Sequence, residues 1–484
     1  MTFPPTAPPR VRIAPSPSGY LHVGTGRTAI FNYLFARHFG GKFLIRIEDT
    51  DVERSDPAMV EPILNALKWL GLEWDEDIVY QSSRLETYKK FANKLLESGH
   101  GYRCFCSPAQ LGAEREAAMA SKQAPRYNRR CLKLTKDEID AKLKAGEQFA
   151  IRIQIPPGET SYDDMVAGVI TRQNDDIEDL VVARSDSSPT YNLAVVVDDH
   201  EMGITHVIRG NDHISNTFKQ IQIYRALGFD VPRFGHVPLI LRPDKKKVSK
   251  RLGDKDVAEY RNEGIIPEAM FNFLCLLGWS PKSDQEIFTI TELIKIFDPT
   301  HFNSSNAVFD EEKLVSFNKS HLQLKTDEEL ASLITPLFVE AGLISQASLQ
   351  SQLPYIKTVA GLLKERVRRL TDFLSLGSYF FKFDCRYDPE AEAKQFSTAS
   401  AELLSAFAEK LEALPLFDHA SIEQALTSLA EERGVKKAAF IHPTRLAVSG
   451  ISVGPSLYDM IAVLGKPIVV ERLKKTVDYI ASKA

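Results

Sequence analysis

RIAPSPSGYLHVGT, residues 12–25, decides the fold. The preceding register, VRIA at 11–14, is apolar and β-branched, PSPSG breaks it, and from His22 the residues Ile30, Phe31, Leu34 and Phe35 recur at helical spacing. The segment predicts a strand, a long loop and a helix. Gly40 and Gly41 stop that helix, and residues 43–47 form a second buried strand ending in Glu48 and Asp49. A βαβ opening implies a parallel sheet with right-handed crossovers.

Gly24 to Ala29 also fits G-x-G-x-x-A, with Glu48 about twenty residues on, which is the spacing of a dinucleotide fingerprint. In that fingerprint the glycines follow the first strand directly. Here PSPSGYLHV separates Ala14 from Gly24, so a dinucleotide is not expected, and no G-x-x-x-x-G-K-[ST] occurs. What remains is a helix N-terminus, with free N–H groups and about half a positive charge, which suits phosphate. His22 adds a donor there and Gly24 allows close approach. Far downstream, KKKVSKR at 245–251 is strongly cationic. Alone it reads as a solvated charge run; beside a phosphate loop it reads as the second wall of a nucleotide site.

The 484 residues, 44% of them hydrophobic, can bury several cores, and roughly three or four domains are expected. MTFPPTAPPR lacks a signal-like apolar run, and no stretch of about 18 uncharged apolar residues occurs, so a cytoplasmic protein is expected. Five scattered cysteines argue against a disulfide framework. A net charge of -4 gives no global signal for nucleic acid, which would have to meet local basic patches.

Helical patterns follow at 58–70 and 86–97, the first closed by Gly71. From about 101 to 186 basic residues cluster and apolar periodicity fades, which suggests an insertion. The sheet is expected to resume with a strand at 190–197 and another at THVIRG, 205–210, before a helix at 216–226. Beyond the lysine run, 267–277, 328–341, 354–374, 399–414, 422–433 and 458–466 read as helices, and the polar stretch 384–393 as a break.

PSPSGYLHVGT resembles the HIGH signature of class I aminoacyl-tRNA synthetases in its glutamyl form, and KVSKR resembles their KMSKS loop. RIEDTD (46–51), SPTYNLAVVVDDHEMGITHVIRG (188–210), PEAMFNFLCLLGWS (267–280) and GPSLYDMIAVLG (454–465) are similar to glutamyl-tRNA synthetases, in order and spacing. The resemblance implies an α/β fold: a parallel-sheet, Rossmann-like catalytic domain split by an α/β insertion and followed by all-helical domains. The expected boundaries are 1–100 and 189–255 for the catalytic halves, 101–188 for an insertion binding the tRNA acceptor end, 256–328 for a connecting helical domain, and 329–384 and 385–484 for two anticodon-binding parts.

The implied activity is ATP-dependent attachment of L-glutamate to tRNA(Glu) through glutamyl-adenylate, with release of AMP and pyrophosphate. The attacking carboxylate is already an anion, so catalysis should be positioning and charge neutralisation. His22, Lys247 and Lys250 are the expected catalytic groups; His22, Gly24, Thr25, Asp212, Ser249 and Lys250 are expected on ATP, which brings Mg²⁺. By resemblance Arg12, Ser16, Glu48, Tyr191 and Arg209 match glutamate-contacting positions. A guanidinium fork gains a bidentate bond from an acid but not from an amide, which suits Arg12 for the side-chain carboxylate and Arg209 for a carboxylate, with Glu48 for the ammonium. Thr25, Val195, Asn211 and Arg251 depart from the family pattern.

Cys104, Cys106 and Cys131 resemble three ligands of a zinc site carried by some of these enzymes, but the fourth family position is Lys133, which cannot coordinate. Three ordinary thiols are therefore expected, unless another ligand completes the shell. Arg126, Arg129 and Arg130 around Tyr127, and a helix carrying Lys357, Lys364, Arg366, Arg368 and Arg369, are candidate tRNA contacts. A monomer is expected. The rival readings are a non-discriminating enzyme that also glutamylates tRNA(Gln), a glutaminyl-tRNA synthetase and a small-molecule nucleotidyltransferase; the last has no need of so long a helical C-terminal region.

Overall fold

The computed structural model describes residue 5 and residues 7–51, 54–122, 126–246 and 255–483. It divides into two units, residues 1–259 with 270–310, and residues 260–269 with 311–484.

The first unit opens with β1 (Arg10–Ile13), α1 (Val23–His38) and β2 (Lys42–Ile47), as the spacing predicts. It continues through α2 (Val60–Trp69), β3 (Val79–Tyr80) and α3 (Leu85–Glu97). The region of the expected insertion follows: β4 (Gly101–Cys104), α4 (Pro108–Ala120), α5 (Lys136–Lys144), β5 (Ala150–Ile153), β6 (Glu159–Asp164), β7 (Gly168–Gln173) and β8 (Val181–Ala183). Then come α6 (Tyr191–Glu201), β9 (His206–Gly210), α7 (Ile214–Leu227), β10 (Arg233–Val237) and β11 (Ile240–Leu241).

β1, β2 and β3 pair in parallel, as do β9 and β10. The two sheets meet where Thr205 donates its N–H to Arg10 O at 3.0 Å, just before β9. The parallel strands thus run β3-β2-β1, then β9-β10, and their order reverses between β1 and β9. In open α/β sheets a ligand crevice forms at such a switch point, outside the carboxyl ends of the strands. β6 and β7 form an antiparallel hairpin whose β6 pairs with β10, Phe234 opposite Asp164, whereas β4, β5 and β8 make a sheet of their own. The insertion therefore shares the catalytic sheet instead of standing wholly apart from it.

The strand expected at 190–197 is wrong: these residues lead into and build α6. Extended Thr190 precedes the helix, and positions 193–199 are all buried, so no polar face breaks the apolar run. A short fully buried helix and a buried strand look alike when periodicity is the only guide. α6 carries Asp198 and Asp199, both essentially without solvent exposure.

After α8 (Val257–Asn262), α9 (Pro267–Leu276), α10 (Ile290–Ile296) and the short β12 (Ala307–Val308), the chain is helical. α11 (Glu311–Leu324), α12 (Asp327–Glu340), α13 (Leu349–Leu363), α14 (Asp372–Gly377), α15 (Pro389–Gln395), α16 (Thr398–Glu412), α17 (His419–Glu432), α18 (Ala438–Ser449), α19 (Leu457–Leu464) and α20 (Lys466–Lys483) fill the second unit. One apolar cluster runs from Leu330 through Phe380, Leu404 and Leu426 to Ile480, so no gap in the core marks residues 384–385. The polar stretch read as a break runs into α15, and Tyr387 Oη lies 2.8 Å from Thr476 Oγ1.

The long helix expected at 354–374 is two. α13 ends at Leu363, and Arg366 to Arg369 lie in the turn before α14, so these cations do not share a helix face. Among the described residues no helix is long and apolar enough to cross a membrane.

Candidate active site

A cavity of about 530 Å³ opens at the switch point. Arg12, Ser16, His22, Gly24, Thr25, Glu48, Tyr191, Arg209 and Asp212, far apart in sequence, all line it. Lys247, Ser249, Lys250 and Arg251 lie outside the described residues. The chain on either side of them does reach the site. Ile240 of β11 lines the cavity, and beyond the lysine run Asp256 makes a β-bridge to His22, with the Val257 N–H donating to Leu21 O at 3.1 Å.

At the mouth of α1, His22 is the N-cap, and its Nδ1 accepts from the Gly24 N–H at 3.0 Å. That bond occupies an amide expected to face phosphate, and in the neutral ring it places the proton on Nε2. A Cβ on Gly24 would approach His22 Nδ1 to 3.1 Å, so glycine permits the cap. Thr28 Oγ1 donates to Gly24 O at 2.9 Å and Asn32 Nδ2 donates to Ile208 O at 3.0 Å, fixing the start of α1 and tying it to β9. At the far rim, Asp212 crowds Gly210: a Cβ there would lie 2.6 Å from Asp212 Oδ1.

The other end of the cavity holds buried charge. Arg12 is gripped by Asp199, with Nε donating to Oδ1 at 3.0 Å and Nη2 to Oδ2 at 3.2 Å. Arg46, fully buried, reaches Asp199 at 2.5 Å, Glu48 at 3.1 Å and Asp198 at 3.7 Å. Burial alone would raise the Asp199 carboxyl, but Arg12 and Arg46 outweigh it and hold the group below its usual range. At Glu48 the balance falls the other way: burial raises the carboxyl against the pull of Arg46 and Arg12. Asp198 is satisfied by Arg84 at 2.8 Å, by Gln81 and by the Tyr88 hydroxyl. Asp198, Asp199 and Arg46 were not expected in this role; with 190–197 read as a strand, nothing directed the two aspartates toward β1.

Arg209 is different in kind. It too is buried, 6% exposed, but its hydrogen-bond partners are neutral: Thr217 Oγ1 at 2.6 Å, Gln220 Oε1 at 2.8 Å and His236 Nε2 at 3.3 Å. Among the described residues its Nη1 has no hydrogen-bond partner. Burial without a carboxylate lowers the arginine below its ordinary value. Nearby, burial and then Arg209 push His213 down to about 4, and His213 Nδ1 lies 3.2 Å from the Tyr191 hydroxyl. An unpartnered, buried guanidinium nitrogen is chemically suited to an anion.

Away from the cavity, Cys104, Cys106 and Cys131 bring their sulfurs within 4.8 Å of one another. The Tyr127 hydroxyl lies 3.4 Å from Cys104 Sγ and 3.7 Å from Cys106 Sγ, under the guanidinium of Arg152 at 3.9 Å from the ring centroid. Three thiols and an oxygen make a four-donor set although Lys133 supplies nothing. Burial opposes ionisation of Cys104, but Tyr127 and Arg152 bring its thiol below the usual value.

The basic clusters are largely spent on local acids. Arg126 pairs with Asp176 at 2.8 Å, Arg129 with Asp179 at 2.7 Å and Arg130 with Glu114. In the second unit Lys357 pairs with Glu328, Lys364 Nζ donates to Lys325 O, Arg368 reaches Glu312 at 2.9 Å and Arg369 reaches Glu263 at 3.3 Å. Arg366 is exposed.

Residues 9–316 match the family model "tRNA synthetases class I (E and Q), catalytic domain", and residues 329–477 match "Anticodon binding domain". A glutamate–tRNA ligase of Thermodesulfovibrio yellowstonii is 43% identical over 470 residues, spanning 97% of this chain and 99% of that one. One from Nitratidesulfovibrio vulgaris is 45% identical over 469 residues, spanning 96% and 98%. The crystal structure of a glutamate tRNA ligase from Elizabethkingia meningosepticum, in complex with its amino acid, superposes with a TM-score of 0.88 at 32% identity, covering 97% of this chain and 99% of that one. The chain belongs to the class I tRNA synthetases of the glutamate and glutamine group, enzymes with a Rossmann-like catalytic domain and a helical anticodon-binding region.

Proposed function

We propose that this enzyme is a glutamate–tRNA ligase, joining L-glutamate to tRNA(Glu) at the expense of ATP through glutamyl-adenylate. The observation that carries the reading is the charge of the cavity: of the three buried arginines that line it, Arg27 is tied to backbone carbonyls, while Arg12, Arg209 and the Glu48 carboxylate share the remaining space near the mouth of α1. An amino acid with a second carboxylate matches that set. Glu48 takes the ammonium, Arg12 the side-chain carboxylate and Arg209 the other carboxylate, with Ser16 and Tyr191 completing the walls. Asp199 occupies Nε and Nη2 of Arg12, so the ligand meets Nη1 of a side chain already oriented.

His22, Gly24, Thr25 and Asp212 would hold ATP, whose Mg²⁺ would supply charge neutralisation at the phosphates. The glutamate carboxylate attacks the α-phosphorus and pyrophosphate leaves; the terminal adenosine hydroxyl of tRNA then takes the acyl group and AMP leaves. His22, by donating from Nε2, and Lys247 and Lys250, by their charge, neutralise the transferring group. The insertion meets the acceptor end of tRNA through Arg126, Arg129 and Arg130, and the helical unit meets the anticodon with Lys364, Arg366 and Arg369 among its contacts. Because Arg126, Arg129, Arg130 and Arg369 have acid partners, tRNA must displace those partners or rely on the remaining exposed charge. The enzyme acts as a cytoplasmic monomer. Cys104, Cys106 and Cys131, with the adjoining Tyr127 hydroxyl, would hold a zinc ion that would supply a structural cross-link to the inserted region; elemental analysis finding no metal on protein purified without chelators would reject this.

Charging assays on purified tRNA(Glu) and tRNA(Gln), each with L-glutamate and L-glutamine, test the function. Glutamate on tRNA(Glu) alone is the expected product. Glutamate on both acceptors would mean a non-discriminating enzyme, and glutamine as the accepted amino acid would reject the proposal.

A further inference from the structure

Arg209 does not choose its own direction. Its Nε–H points at His236 Nε2, which must present a lone pair to accept it, and the opposite nitrogen, Nδ1, lies 2.5 Å from Asp164 Oδ2. With Nδ1 donating to Asp164, the imidazole is the tautomer that accepts at Nε2. Thr217 Oγ1 closes the arrangement, 2.9 Å from His236 Nε2 and 2.6 Å from Arg209 Nη2. Asp164 and His236 are both buried, at 2% exposure each.

We propose that Asp164 and His236 are positioning residues that fix the Arg209 guanidinium so that its unpartnered Nη1 faces the ligand carboxylate. This rests on the reading that Arg209 binds such a carboxylate. Asp164 ends β6, a strand of the inserted region, and His236 lies in β10 opposite Arg209 in β9. The insertion, expected to serve tRNA, thereby also sets the amino-acid pocket. Burial keeps His236 below its ordinary value, which agrees with a neutral ring.

Asp164→Asn isolates the contact. Asp164 Oδ1 accepts from the N–H groups of Val166 at 2.9 Å and Ala167 at 3.0 Å, and asparagine can keep these with its own oxygen. The new amide then donates to His236 Nδ1, the ring proton moves to Nε2, and two donors face each other where Arg209 met an acceptor. In aminoacylation the glutamate KM should rise on the order of 10-fold, as for loss of an orienting partner, while kcat and the ATP KM change less than about twofold. Nitrogen NMR should report His236 protonated at Nδ1 in the parent and at Nε2 in D164N. His236→Gln, which can still present an oxygen to Arg209, should raise the glutamate KM less than D164N does.

Arg209→Ala separates the two claims. If R209A leaves the glutamate KM unchanged, the binding reading itself fails. If R209A raises it and D164N does not, the positioning role fails. Equal rises in the glutamate and ATP KM values in D164N would mean a structural role only and would also overturn the proposal.

Discussion

The arginines of the cavity and those of the helical unit look equivalent in sequence, yet the fold treats them in opposite ways. Arg12, Arg46 and Arg209 are buried on adjacent strands, Arg12 held by Asp199, Arg46 by Asp199, Glu48 and Asp198, and Arg209 by Thr217, Gln220 and His236. Arg368 and Arg369 sit half-exposed in a turn, each resting on surface glutamates. Burial multiplies the cost of leaving a charge unpaired, whereas an exposed pair is screened and contributes about 0–1 kcal/mol. A cation in the first region is therefore informative about ligand; one in the second region is informative only about local packing until tRNA is added.

The comparison breaks first at Asp199. Asp199→Asn leaves Arg12 and Arg46 as buried cations with a weakened partner, and unfolding free energy should fall by about 3–5 kcal/mol, read from denaturant midpoints. A loss below about 1 kcal/mol would mean that this buried network behaves like a surface pair. Next is Arg209→Ala, which should lower glutamate-dependent kcat/KM by ~10²-fold or more through loss of a charge-assisted contact, with stability far less affected. Near-normal kinetics would remove Arg209 from the binding set.

Histidines sharpen the same contrast. Burial pushes His206 in β9 down to about 4, whereas Asp459 raises the exposed His419. For His206 the folded value lies below the unfolded one of about 6.5, so its contribution is present above pH ~6.5 and lost as pH falls through about 4. That contribution is at most on the order of 3 kcal/mol, and His206→Gln should flatten this part of the acid limb. For His419 the sign reverses, the contribution fading as pH rises through its raised value, and no change in the melting profile is expected on replacing it. The smallest effect is expected at Arg369→Ala: stability should change by less than about 1 kcal/mol, while tRNA binding becomes less salt-dependent. An unchanged salt slope would take Arg369 out of the tRNA contacts.

How much of this was legible depended on what each residue signals. The strand, loop and helix of residues 10–38 were readable because a β-branched run, a proline-rich break and a helical stripe follow one another. The convergence of Arg12, Glu48, Tyr191 and Arg209 was reached only through resemblance, since no local pattern ties β1, β2, α6 and β9 together. Asp199 was missed because the run before it gave no period to distinguish helix from strand. In sequence Tyr127 reads as an aromatic among arginines and not as a neighbour of the thiols, because a phenol has no ligand spacing comparable to that of cysteine. The pairing of surface arginines with acids was invisible for the same reason that it matters little: long exposed side chains pair across sequence distances that no motif records.

Selection of an amino acid with two carboxylates falls to two pre-oriented guanidiniums, Arg12 and Arg209. Its most direct test is the ratio of kcat/KM for L-glutamate over L-glutamine in tRNA charging, measured for the parent enzyme and for Arg12→Lys, which keeps the charge beside Asp199 but loses the fork. The parent should strongly prefer glutamate, and the ratio should fall by ~10-fold or more in the variant. A ratio that is unchanged by the substitution would contradict this selection.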